Sequence, residues 1–98
     1  MPIKLHPLAE QDLKIALDYY YTISPNLEKR FLAYLEKYFD RIGNTPNLYP
    51  YETQTSQKAV MKKFPYIVLY EQYDGGIMIL AIFHTRQNPK GLSKRAEV

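Results

Sequence analysis

The chain has 98 residues, a net charge of +3, two histidines and no cysteine. This excludes disulfides and thiolate metal sites, makes zinc improbable, and gives room for one domain spanning 1–98. No stretch is long enough to span a bilayer and Met1–Pro7 lacks the apolar core of a signal peptide, so a cytoplasmic protein with no membrane partner, metal or cofactor is expected.

Residues Pro2 to His6 read as a short strand with Ile3 and Leu5 on one face. Pro7 then suits the first position of a helix, where its missing N–H costs nothing. Ala9, Leu13, Ala16, Leu17 and Tyr20 recur at helical spacing, which predicts about four turns through Tyr21. Tyr19, Tyr20 and Tyr21 cannot share one helix face, so Tyr20 is assigned to the core. Ser24-Pro25 marks a second helix, with Ser24 as cap and Pro25 at the first position. Leu27, Phe31, Leu35, Tyr38 and Ile42 form its apolar stripe, and Gly43-Asn44 end it. The connection is so short that the helices must fold back as a hairpin.

Residues 44–57, punctuated by Pro46 and Pro50, are expected to be a loop, long enough to be either functional or mobile. A strand is expected over Lys58–Lys63. Two more follow, Phe64–Tyr70 and Ile77–His84, joined by a tight turn at Asp74-Gly75-Gly76, whose glycines supply positive φ. Pro65 donates no hydrogen bond and suggests an edge or a bulge. Phe64 and Tyr66 are expected to pack. Both long strands present large apolar side chains to both faces, so both faces need cover. Residues 85–98 read as a basic tail.

Strand, helix, helix, three strands is an α+β order. Four strands make a sheet about 20 Å wide, and two helices about 10 Å across cover it once. The second face is then left without cover from this chain, as an interaction surface or a homodimer interface. Charge is uneven too. Residues 1–57 hold six basic and seven acidic side chains, a net −1, whereas residues 58–98 hold seven and three, a net +4. The basic half favours nucleic acid or an acidic protein segment, or else is a lysine-protected sheet edge.

Asp12-Leu13, Tyr19-Tyr20, Ser24-Pro25, Phe31-Leu32, Phe64-Pro65-Tyr66 with Tyr70, and His84, Arg86 and Asn88-Pro89 occur in that order. With these marks the chain resembles the RelE/ParE superfamily, the toxin halves of type II toxin–antitoxin modules, and the ParE (plasmid-stabilisation) branch more than the RelE branch. The resemblance implies a helical hairpin on one face of a small antiparallel sheet. It also implies a cognate antitoxin whose acidic segment wraps the toxin, by main-chain pairing at a sheet edge with side-chain pockets. A homodimer or a heterotetramer with the antitoxin is left open.

Two activities occur on this fold. A ParE-like member inhibits DNA gyrase by contact and arrests growth, and needs no catalytic set. The candidate contacts with target or antitoxin are Tyr70, Arg86, Lys90, Lys94 and Arg95. A RelE-like member cuts messenger RNA on the ribosome, with cations stabilising the in-line phosphorane. Lys58, Lys62, His84 and Arg86 are then the candidates, with Tyr49 or Tyr51 as substitutes for the missing C-terminal acid or base. Lys58 and Gln87 depart from the arginines common in ParE-like chains, so a non-toxic interaction domain of the same fold is the third reading. His84 is either a half-buried histidine bonded to backbone or a group titrating in a site.

Overall fold

A computed structural model describes residues 1–97. The elements are β1 (Ile3–Leu5), α1 (Pro7–Ile23), α2 (Pro25–Asn44), a 3₁₀ turn at Pro46–Leu48, β2 (Ser56–Val60), β3 (Tyr66–Tyr73), β4 (Gly76–His84) and α3 (Lys90–Arg95). The sheet runs β1-β4-β3-β2, with β1 parallel to β4 and the other pairs antiparallel.

One residue joins the two long helices. The backbone N–H of Ser24 donates to Tyr20 O and closes α1, while its hydroxyl accepts from Asn26 N (3.1 Å) and Leu27 N (3.3 Å) and opens α2. That cap chemistry follows from a Ser hydroxyl that accepts the free first-turn N–H groups and a Pro that has none to leave unpaired. The hairpin lays its expected stripes on one sheet face. Ala9, Ala16, Tyr20, Phe31, Leu35, Tyr38 and Ile42 pack there with Val68, Tyr70, Ile77, Ile79 and Ile82, and Leu13, Leu17 and Leu27 are half-buried against them. Tyr20, Phe31, Phe64 and Tyr66 meet ring to ring at centroid distances of 4.8–6.3 Å.

The second face is covered by the chain itself, which corrects the expectation of an uncovered face and a basic tail. Asn88 Oδ1 accepts from Lys90 N (3.0 Å) and starts α3. Leu92 and Ala96, one turn apart, sit on Leu69, Leu80, Ala81 and Phe83, with Ile67 and Met78 beside them. Lys90 and Lys94 stay in solvent. Val60, toward the β2 edge, remains 52% exposed.

A bulge explains the apolar residues on both faces of β4. Leu69 pairs with Ala81 but Tyr70 pairs with Ile79, so Leu80 is the extra residue. The side-chain parity flips there. Ile77 and Ile79 face the hairpin before the bulge and Ile82 after it, whereas Met78, Leu80 and Phe83 face α3. Pro65 lies in the connection between β2 and β3, not in a strand.

At the β3–β4 turn only Gly75 has positive φ, at 87°. Gly76 is needed for closeness instead: a Cβ there would lie 2.9 Å from Pro2 O and 2.8 Å from Tyr73 Oη. The loop 44–57 is pinned to the sheet. The Gln57 amide donates to Pro46 O (2.8 Å) and Tyr49 O (3.0 Å), Tyr70 Oη donates to Pro46 O (2.6 Å), and the Gln72 amide donates to Gln57 Oε1 (2.7 Å) and Asn47 Oδ1 (2.8 Å).

Leu92→Ala is expected to cost about 2–3 kcal/mol by leaving a cavity over Phe83, the low end of core truncations because the second layer is thin. Lys94→Ala, at an exposed position two residues on, should stay within about 0.5 kcal/mol. Urea unfolding of the two variants checks this; equal, small effects would mean that α3 is not packed on the sheet.

Candidate functional site

β1 ends at Leu5 because the chain turns into α1 at Pro7, and its last bond to β4 is His6 N–H to Ile79 O (2.9 Å). β4 runs on to His84 with no strand beside it on that flank. Two side chains take the groups β1 leaves unpaired. Asp12 Oδ2, from α1, accepts from Ile82 N (3.0 Å), and Arg95 Nη2, from α3, donates to Leu80 O (2.9 Å). The two side chains also pair through both oxygens, Nη1 to Oδ1 at 3.2 Å and Nη2 to Oδ2 at 2.9 Å. Each is about one-fifth exposed. Among the described residues, Arg95 Nε is buried without a partner.

Beyond this clamp lies a groove of about 370 Å³ between α1 and the end of β4. Ile15, Ala16 and Ile82 give it an apolar floor, and Asp12, Tyr19, Tyr66, His84 and Gln87 ring it with polar groups. Leu8, Ile15, Tyr19 and Ile23 follow helical spacing with Asp12 along the outer side of α1. They are 37%, 65%, 56% and 57% exposed, an apolar line open to solvent that Asp12 interrupts between Leu8 and Ile15. A wider, more open depression of about 720 Å³ lies against β1 and α1, where Leu5, Leu13 and Leu17 are mixed with Lys4, Lys14, Glu10, Asp18 and Glu28. Two of its charges, Lys14 and Asp18, pair with each other at 3.0 Å, and charged side chains interrupt its apolar ones.

The residues singled out from the sequence fall in four places. His84 lies at the groove, half-buried, its ring 5.0 Å from that of Tyr66 and its Nδ1 accepting from Arg86 N (3.0 Å). The Arg86 side chain is exposed beside it. Lys58 is on the other face of the sheet, ion-paired with Glu52 at 2.8 Å. Lys62 is exposed in the β2–β3 connection, where its backbone N–H donates to Tyr38 Oη (3.2 Å). The sheet separates Lys58 from His84, so the four nuclease candidates do not converge. Tyr49 is held by Arg41 Nη1 (3.2 Å), and Tyr51 is exposed.

Among the contact candidates, Tyr70 is fully buried and belongs to the core, not to a surface. Burial pushes its hydroxyl from the usual 10.0 up to about 12, with Tyr49 and Tyr51 adding to the shift, and burial raises Tyr66 further still. Arg95 is a clamp residue, while Lys90 and Lys94 are exposed on α3. Reading the sequence missed the α1 stripe. Ile15, Tyr19 and Ile23 lie off the buried stripe, and apolar residues off it were the available signal.

The sequence matches the family described as the ParE toxin of type II toxin–antitoxin systems, parDE, over residues 3–89. The chain belongs to the ParE toxin family. Two similar proteins, each named Toxin ParE2 and coming from Mycobacterium tuberculosis strains CDC 1551 / Oshkosh and ATCC 25618 / H37Rv, are 26% identical over 91 residues. The match covers 92% of this chain and 87% of each of them. Among solved structures, one titled "Chromosomal ParDE TA system from P. aeruginosa" superposes with a TM-score of 0.77 at 19% identity, covering 88% of this chain and 97% of that one. The α+β architecture read from the sequence is therefore the fold of that structure. Among the described residues, no helix is long and apolar enough to cross a membrane.

Asp12→Asn and Arg95→Met should each lower the unfolding free energy by about 1–3 kcal/mol, since each strands the other partner half-buried. Their double-mutant cycle should return a coupling of about 1–2 kcal/mol, and additive losses would mean the clamp is not an interaction. For Tyr70, a folded-state value above 10 means its stabilisation is complete below pH 10 and is lost as pH rises toward 12. Chemical unfolding between pH 9 and 12 should show stability falling by about 1.4 kcal/mol per pH unit for each such tyrosine, with a shallower fall in Tyr70→Phe. An unchanged slope in that variant would place the titration elsewhere.

Proposed function

We propose that this ParE-family chain is the toxin half of a two-protein module, that it arrests growth in the cytoplasm by binding DNA gyrase, and that a cognate antitoxin silences it by laying an apolar segment into the α1–β4 groove. The stripe Leu8–Ile15–Tyr19–Ile23 carries the antitoxin part of this reading. Exposed apolar residues aligned beside a groove are the surface a partner helix or extended segment covers. Arg86, between the lining residues His84 and Gln87, favours an acidic segment there. Two main-chain groups of the β4 flank, Ile82 N–H and Leu80 O, are already held by Asp12 and Arg95, which favours side-chain docking over strand addition at that point.

Inhibition by contact suits a molecule whose Lys58 and His84 lie on opposite sheet faces. Family membership supports the toxin role, and the P. aeruginosa structure, titled as a ParDE system, supports a partner of the antitoxin kind. Gyrase as target rests on the family resemblance.

Inducing the chain alone in bacteria should stop growth, and the purified chain should inhibit gyrase supercoiling. Ile15→Glu with Tyr19→Glu, both at exposed positions, should leave the fold intact and weaken antitoxin binding at least tenfold by calorimetry. Normal growth with the protein expressed, together with unaffected supercoiling, would overturn the gyrase reading. New cuts within translated messages, mapped by primer extension, would replace it with RNA cleavage.

A further inference from the structure

The two helices of the hairpin differ in what they show to solvent. Arg30, Tyr34, Lys37 and Arg41 recur at i, i+4, i+7 and i+11 on α2, which aligns them in one stripe about 16 Å long. Arg30, Lys37 and Arg41 are exposed. The β2–β3 connection adds Lys62 and Lys63, both exposed, and Lys63 Nζ lies 5.7 Å over the Tyr34 ring. Among the described residues, the ion pairs are Lys14–Asp18, Lys58–Glu52 and Arg95–Asp12, so none of these five cations is neutralised by a carboxylate. Like charges held this close repel one another, and a surface of this kind suits a partner that supplies anions at regular spacing.

We propose that this α2 stripe, with Lys62 and Lys63, docks on the phosphate backbone of duplex DNA. A protein partner fits it poorly. Protein interfaces are depleted of lysine and have an apolar centre, and none of the large exposed apolar residues lies on the stripe. Interfaces with DNA are polar and strongly positive. Single strands fit less well than a duplex, because they gain affinity by stacking bases on open aromatic faces. Here cations occupy the rings: Lys63 stands over Tyr34, and the Arg41 guanidinium is 5.3 Å from the centre of the Tyr38 ring, steadied by Tyr49 Oη. The tyrosines orient charge and offer no free stacking platform, which is the chemistry of backbone contact without base readout.

The test is fluorescence anisotropy of a labelled 20-base-pair mixed-sequence duplex titrated with the full chain at several salt concentrations. Binding is expected with a Kd of about 10⁻⁴–10⁻⁶ M at physiological salt and a log K against log salt slope of about −3 to −4. Lys37→Gln with Lys62→Gln should weaken binding several-fold and flatten the slope by about two, with an unchanged melting curve. Lys4→Gln with Lys14→Gln removes the same charge elsewhere and should leave both quantities nearly unchanged. No binding at low salt would overturn the proposal. So would equal losses in the two double variants, a larger loss on neutralising Lys90 and Lys94, or tighter binding to a single strand or an acidic peptide than to the duplex.

Discussion

The Asp12–Arg95 clamp is the interaction on which the two-layer structure depends. A β4 strand longer than its β1 neighbour leaves backbone groups without a ladder, and such groups must be satisfied when half-buried. A carboxylate accepts one N–H and a guanidinium gives to one carbonyl, so each charge has both an ionic and a main-chain partner. That arrangement limits the desolvation cost that often cancels partly buried ion pairs. It also joins α1, β4 and α3, elements from the two ends of the chain, at one point. Detaching α3 would at once unpair Asp12, free Leu80 O and bare Phe83, so the six-residue helix is held cooperatively although it is far too short to be stable alone.

The bulge at Leu80 belongs to the same device. Without the extra residue, Ile82 would point at α3 and Ala81 at the hairpin, and the large residue would be on the thinly covered face. With it, three isoleucines of β4 serve the thick hairpin core, and the second face keeps Leu80 and Phe83 for a helix that offers only Leu92 and Ala96. The bulged residue is also the one whose carbonyl accepts from Arg95 Nη2, so the irregularity in the ladder and the clamp are mutually adjusted.

What the sequence disclosed was whatever repeats or caps locally. The α2 stripe of Leu27, Phe31, Leu35, Tyr38 and Ile42 has helical period, Ser24-Pro25 is a complete start signal, and Asp74-Gly75 marks the hairpin, so the order and layer of these elements were readable. The expected β2 was displaced: it runs Ser56–Val60, because Gln57 enters the ladder while its amide ties down the preceding loop. Bonds of that kind link residues far apart and leave no periodic trace, which is why the loop 44–57 looked free and Tyr70 looked available. At the C-terminus, charge concealed structure: two apolar positions one turn apart among lysines are too few to register as a helix. The candidate site was half legible. His84 and Arg86 stand out as polar residues at the end of an apolar strand, whereas the α1 residues opposite them lie off the buried helical stripe and form no motif.

The outer surfaces of α1 and α2 are chemically distinct for a reason rooted in the fold. Each helix contributes one stripe to the core, and apart from Asp12, which bonds β4, and Tyr34, which packs beside Phe64, the outer stripes are exposed, so packing leaves most of their composition unconstrained. On such freely variable positions the default is a mixture of charges with few apolar residues. Here α1 carries four exposed apolar side chains in line and α2 carries three cations in line with a tyrosine. Neither pattern adds to folding stability: exposed isoleucine gains nothing from water, and unpaired lysine and arginine repel. Both therefore ask for partners, and their chemistry asks for different ones. Because the stripes sit on separate helices of a hairpin capped at Ser24, a segment covering α1 leaves the α2 cations uncovered. Any coupling between the two surfaces then has to pass through the packed core or through charge, not through direct competition for the same side chains.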